Sequence, residues 1–258
     1  MAPRSAGVRE TPEAPNFERT RWSVILAAAA ADSADENARR AMAELCKTYW
    51  RPIFSFICRR GYSTEDAQDL TQDFFVMVLE TDWLQHADPQ RGRFRSFLLK
   101  SLQNFLSKAR EKTKTQKRGG HARMISWDDW TAETPSQLAV PGEALDSWAP
   151  ERVFDLRWAA TIAENALRKL REECEAKGRV RVFETLSGYL TLERGEMSYA
   201  EVAGKSGMSE AEVKNQLHNL RRRYRWYLYN EVARTVDNPA EIEDEIRHLC
   251  AALASATT

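Results

Sequence analysis

Between Phe94 and Arg110 the chain sets Phe94, Leu98, Leu102, Phe105 and Ala109 on one side of a helical wheel, with Phe97 at its margin. Ser96, Lys100, Gln103, Ser107 and Arg110 fall on the other side. A repeat near 3.6 residues is satisfied by an amphipathic helix and not by a strand, whose side chains alternate with period two. This period dominates the chain, and no convincing stretch alternates polar and apolar residues toward a hairpin turn. The expectation is an all-α protein. Helices are expected at about 20–31, 36–59, 64–80, 94–113, 151–177, 180–192, 198–205, 209–235 and 239–253.

Punctuation divides this helical text. From Gly119 to Pro150 the chain reads "GGHARMISWDDWTAETPSQLAVPGEALDSWAP", interrupted by Gly119, Gly120, Pro135, Pro141 and Pro150, residues that break helices and mark loops. The segment is expected to be a linker, residues 119–150, between a helical domain at 20–118 and a second at 151–236. Residues 1–19 are expected to be a disordered N-terminal segment and 237–258 an acidic helical extension. Met124, Ile125, Trp127, Trp130 and Trp148 suit a surface better than open solvent, so the linker is expected to lie along its own protein or a partner. With 258 residues and 43% apolar content, the chain has enough material for such cores.

The opening "MAPRSAGVRETPEAPNFERT" lacks the apolar stretch of a signal peptide, and the longest apolar run, "VILAAAAA", is far shorter than a membrane span. A cytoplasmic protein without membrane attachment is expected. Cys46, Cys58, Cys174 and Cys250 are scattered and read as buried thiols; neither they nor the four histidines show metal-ligand spacing. No metal or cofactor is expected.

Charge is laid out in blocks although the chain is neutral overall. Residues 61–90 contain no Lys or Arg, against Glu65, Asp66, Asp69, Asp73, Glu80, Asp82 and Asp88. Arg91 to Arg123 then sets eleven basic residues against Glu111 alone, and 126–155 sets seven acids against Arg152. Any single block is ordinarily a solvated face. Strong opposite blocks side by side point instead to two kinds of partner, a polyanion for the basic block and a basic surface for the acidic one.

Helix 64–80 opens with Ser63 or Thr64 as N-cap and with Glu65 and Asp66 where the helix dipole favours anions. Capping does not account for Asp69 and Asp73, like charges four residues apart on one face. Further on, "MSYAEVAGKSGMSEAEVKNQLHNLRRRYRWYLYNEV" reads as a helix-turn-helix, with Ser198 and Ser209 as caps and Gly207 in the turn. On its second helix Val213, Leu217, Leu220 and Tyr224 make the inner stripe. Ala211, Asn215, His218 and Arg222 face outward, flanked by Lys214, Arg221 and Arg225, an arrangement able to meet base edges and backbone in a major groove.

"EDAQDLTQDFFVMVLE" followed by "FRSFLLKSLQNFLSKAREK" resembles region 2 of bacterial RNA polymerase sigma factors of the extracytoplasmic-function group, and "MSYAEVA" with "GMSEAEVKNQLHNLRRRY" is similar to their region 4. The two stretches stand in the family order over about 36–115 and 151–235. The resemblance implies a non-catalytic subunit that binds RNA polymerase core and promoter DNA. It implies a polymerase-docking face at Asp69, Gln72, Asp73 and Phe75. It places minus-ten strand contacts at Arg91, Arg93, Arg95, Ser96, Lys100, Gln103, Ser107 and Arg110, with the strand-capturing loop at "HADPQRGR". Minus-thirty-five contacts fall on Ser209, Ala211, Lys214, Asn215, His218, Arg221 and Arg222; Lys214, Asn215 and Gln216 stand where many members carry Lys-Ser-Arg. An anti-sigma or other regulator is a further implied partner.

A free-standing helix-turn-helix regulator that binds duplex DNA without polymerase is the alternative, and it leaves the Asp69, Gln72, Asp73 face without a use. A nucleic-acid enzyme has no phosphate-binding Gly loop, metal spacing or paired catalytic constellation to support it. In the tail, Ile242, Ile246, Leu249, Cys250 and Leu253 share one face behind Pro239. Such a short helix is expected to dock on the second domain, and its acidity to restrain DNA binding by the basic recognition helix.

Overall fold

The computed structural model describes residues 36–80, 93–113, 147–191, 198–236 and 238–255. The helix expected at 20–31, Arg91 and most of the linker, with Met124, Ile125, Trp127 and Trp130, lie outside the described residues. Among the described residues there is no strand, and the protein is all-α.

Helix α1 spans Glu36–Arg59 and keeps its course through Pro52, which removes one backbone donor from its interior. After a turn at Gly61 (φ 89°) comes α2, Thr64–Glu80. Ser63 is its cap: the hydroxyl accepts the Asp66 N–H at 3.1 Å and donates to the Asp66 carboxylate at 2.8 Å. Helix α3 covers Phe94–Thr113, and α4 covers Pro150–Ala176 with proline in the first turn, where its missing N–H costs nothing. Then follow α5 (Val180–Leu186, continued by a 3-10 turn at Ser187–Tyr189), α6 (Tyr199–Ser206) and α7 (Glu210–Ala233). A 3-10 turn at Pro239–Glu241 leads into α8, Ile242–Ala254.

Helix α4 organises the packing. Phe154, Trp158, Ile162, Ala166, Leu170 and Cys174 are all buried, one every four residues. Because four residues turn a helix by about 400°, this row drifts by about 40° per step and winds roughly 200° around the helix from Phe154 to Cys174. Its two ends therefore face different neighbours. The first end completes a cluster with Ile53 and Phe56 of α1, Phe74 and Val78 of α2, Leu98 and Leu102 of α3, Val232 near the end of α7, and Ile242 and Leu249 of α8. Its other end joins Phe183 and Leu186 of α5, Val202 of α6, and Val213, Leu217 and Leu220 of α7. Packing thus changes hands within α4, so helices on both sides of the linker share one buried cluster.

Local details depart from the wheel. On α3 the buried stripe is turned toward Arg95 and Leu106, which are 6% and 2% exposed, while Phe105 and Ala109 are half-buried. The cause is tertiary: α4 and α8 pack against the Arg95 side. The expectation of four buried thiols fails at Cys250, which is exposed because α8 turns its Ile242, Glu245 and Leu249 side inward. Cys58 is half-buried, and burial pushes the Cys46 thiol up to about 12. Trp148, at the end of the expected linker, does lie against its own protein: Arg59 Nη2 donates to its carbonyl at 2.9 Å and the Arg152 guanidinium sits 3.5 Å from its ring centroid.

Phe154 is 0% exposed and meets the rings of Phe56 edge-on at 6.4 Å and Tyr49 at 6.5 Å. Phe154→Ala is expected to lower the unfolding free energy by about 3–5 kcal/mol, read from urea denaturation.

Candidate nucleic-acid interface

Two serine caps start α6 and α7, and one glycine turns the chain between them. The Ser198 hydroxyl accepts the Glu201 N–H at 3.4 Å, and α6 ends at Gly207, whose φ of 71° is left-handed and disfavours a side chain even though no atom would meet a Cβ there. At the start of α7 the Ser209 hydroxyl accepts the Glu212 N–H at 3.3 Å, while the Ser209 N–H donates back to the Glu212 carboxylate at 2.8 Å. Hydrogen bonds from the Ser209 backbone and hydroxyl hold the Glu212 carboxyl below its ordinary value.

Val213, Leu217 and Leu220 are buried and Tyr224 is half-buried, so the opposite side of α7 faces outward. Ala211, Asn215, His218 and Arg222 form an exposed row along it, with Lys214 and Arg225 exposed beside them. The Lys214 ammonium lies 3.8 Å from Glu210 and 5.1 Å from the Tyr199 ring centroid, surface contacts that leave it accessible. Two expected contact residues have other duties. Ser209 closes the capping box, and half-buried Arg221 donates to the Tyr189 carbonyl at 2.9 Å, tying α7 to the end of α5. The row offers a small side chain, an amide, an imidazole and a guanidinium in sequence, donors and acceptors suited to base edges at one end and phosphate at the other.

Behind this row stands a brace that the wheel does not reveal. Glu173 of α4 accepts from Arg223 Nε at 2.9 Å and the Tyr227 hydroxyl at 3.0 Å of α7, and from Lys177 at 2.7 Å. Lys169 also pairs with buried Glu231. Burial alone would raise the Glu173 carboxyl, but its three hydrogen-bond donors outweigh that and hold it below the ordinary carboxylate value.

The surfaces expected on the first helices divide. Asp69 and Asp73 are exposed on α2 and Gln72 between them is half-buried. Phe75 is 2% exposed, edge-on to Phe74 at 6.1 Å, and belongs to the core rather than to the aspartates' face. On α3, Ser96, Lys100, Ser107 and Arg110 are exposed. Arg93, Arg95 and Gln103 instead meet acids from distant parts of the chain. Arg93 Nη1 lies 2.8 Å from Glu245, Arg95 Nε donates to Glu245 at 3.0 Å and its Nη1 pairs with Asp155, and Gln103 donates to Glu151 at 3.0 Å. Burial alone would lower the Arg95 pKa, but Glu245 and Asp155 more than offset this and raise it, so the guanidinium stays charged.

Among the described residues no group of three or more His, Cys, Asp or Glu is placed to hold a metal ion, and no helix is long and apolar enough to cross a membrane. No family model, curated protein or solved structure matches the chain.

Because the folded Glu173 carboxyl titrates below its unfolded value of about 4.3, its contribution is present above that value and is lost as pH falls through the lower, folded one. Glu173→Gln is therefore expected to destabilise the protein by about 1–3 kcal/mol at pH 7, and the gap from the parent to shrink on acidification, measured by denaturant unfolding at several pH values.

Proposed function

We propose that this chain is a promoter-recognition subunit of the extracytoplasmic-function sigma-factor type, which joins RNA polymerase core and carries it to minus-ten and minus-thirty-five elements. The observation that carries the reading is the capped α6–α7 turn with its exposed Ala211, Asn215, His218, Arg222 row, preceded in the chain by an acidic helix and a basic one in the family's order. In this reading α7 meets duplex DNA through that row, with Lys214 and Arg225 on the phosphates. Asp69 and Asp73, with Gln72, offer core polymerase an acidic face. Ser96, Lys100, Ser107 and Arg110 supply the accessible part of a single-strand surface, where cations track the backbone. The role is binding and positioning, with no bond made or broken by the chain.

A free-standing duplex-binding regulator is the second reading. It is favoured by one specific observation: Phe75 is in the core and Arg93, Arg95 and Gln103 are engaged within the chain, whereas the α7 row is exposed.

Core-polymerase binding separates the two. The sigma reading expects the chain to bind purified core, and the double variant Asp69→Lys, Asp73→Lys to lose that binding while remaining folded; a chain that binds duplex DNA and ignores core is the free-standing regulator.

On selected duplexes, Asn215→Ala is expected to change base preference by about 1–3 kcal/mol at its contact. Arg222→Ala is expected to weaken binding across sequences and lower the salt slope by about 1. Duplex binding unchanged in both variants would exclude α7 as the recognition helix.

A further inference from the structure

The acidic tail helix does not spend its buried acid on the exposed row of α7. Glu245, 1% exposed, reaches across to the N-terminal turn of α3, where one carboxylate engages both Arg93 and Arg95. Asp155 of α4 takes the other side of the Arg95 guanidinium, whose carbon lies 5.0 Å from the Trp158 ring centroid, and His248 of α8 stands 3.3 Å from the second Asp155 oxygen. Ile242 and Leu249, both 1% exposed, hold α8 in this seat. Glu245 thus meets two cations with its two carboxylate oxygens, the same electrostatic arrangement that a phosphate offers.

We propose that α8 is an intramolecular competitor of single-stranded nucleic acid, whose Glu245 occupies Arg93 and Arg95 until a strand takes its place. This rests on reading α3 as a strand-binding helix. A pair of arginines at a helix start is drawn onto one carboxylate from a segment 150 residues later, so a phosphate must compete with that carboxylate, most of all at Arg95, whose side chain is 7% exposed against 31% for Arg93. Lys100, exposed five residues beyond Arg95 on the same helix, remains available for first encounter. Exchange of Glu245 for phosphate conserves charge pairing at the two guanidinium groups, so the cost of opening lies mainly in the apolar seat of Ile242 and Leu249.

The test uses the full chain and a labelled oligothymidylate of about 20 nucleotides, long enough for the site sizes of common single-strand binders. Glu245→Gln keeps an acceptor for Arg95 Nε but removes the charge. It is expected to bind the oligonucleotide about tenfold more tightly than the parent, a change of about 1.4 kcal/mol. Its salt dependence should steepen by about 0.7 for each arginine released to a phosphate. Equal affinity and slope in a folded variant would overturn the proposal. Adding Lys100→Glu separates this failure from failure of the underlying reading: if parent and Glu245→Gln bind equally and both lose binding with Lys100→Glu, α3 binds the strand and only the competition is wrong. If neither chain binds, or if Lys100→Glu changes nothing, the strand-binding reading falls and the proposal with it. Should Glu245→Gln fail to fold, amide exchange in the parent decides: faster exchange across 242–254 when the oligonucleotide binds supports displacement, and unchanged protection with the strand bound overturns it.

Discussion

The drift of one buried row around α4 is the constraint on which the architecture depends. A row spaced by four residues on a helix of 3.6 per turn cannot stay on one face from Phe154 to Cys174. Phe154 and Trp158 therefore look toward α1, α3 and α8, while Leu170 and Cys174 look toward α5, α6 and α7. Had the spacing alternated between three and four, the row would have kept a single heading and α4 would have served a single core. Helix α7 is set against the same rod, through Leu217 and Leu220 on one side and through Arg223, Tyr227 and Glu173 as a polar brace. Its exposed row takes its heading from that attachment.

Charge plays a different part. Opposite charges that stand far apart along the chain meet in space, Arg95 with Asp155 and Glu245, and Arg51 with Glu164 at 2.8 Å. Removing these groups from water costs much of what their attraction returns, so such pairs specify which surfaces meet more than they add stability. Arg157 illustrates the cost: burial, together with nearby Arg51, lowers its pKa, and Glu164 only partly offsets them. The apolar seat of α8 and the row on α4 do the holding, while the ion pairs select the register.

The helices were legible because their signals are local. The cap at Ser63, the box at Ser209 and Glu212, and the left-handed Gly207 act within a few residues of where they are written. The inner and outer sides of α7 were legible for the same reason, since Val213, Leu217 and Leu220 repeat at helical spacing in a helix packed on one side. The candidate site on the first helices was less so. Phe75 sits beside the outward aspartates in sequence, yet α2 has an inner side wide enough to bury Phe74 and Phe75 together. Arg95 carries every mark of a surface cation, and no pattern within α3 announces an acid on α8.

By itself, then, the sequence determined the helical class, the capped turn before α7 and the polar row that helix presents. Each follows from backbone geometry and from the period at which apolar side chains recur. Only the tertiary structure decided which cations of α3 remain exposed, where the tail helix docks and how α4 joins two cores. Those outcomes depend on groups dozens to more than a hundred residues apart, Glu173 with Arg223 and Glu245 with Arg95 among them. A helical wheel gives each side chain a direction; the burial and pairing that settle its charge and its role come from whatever the rest of the chain packs against it.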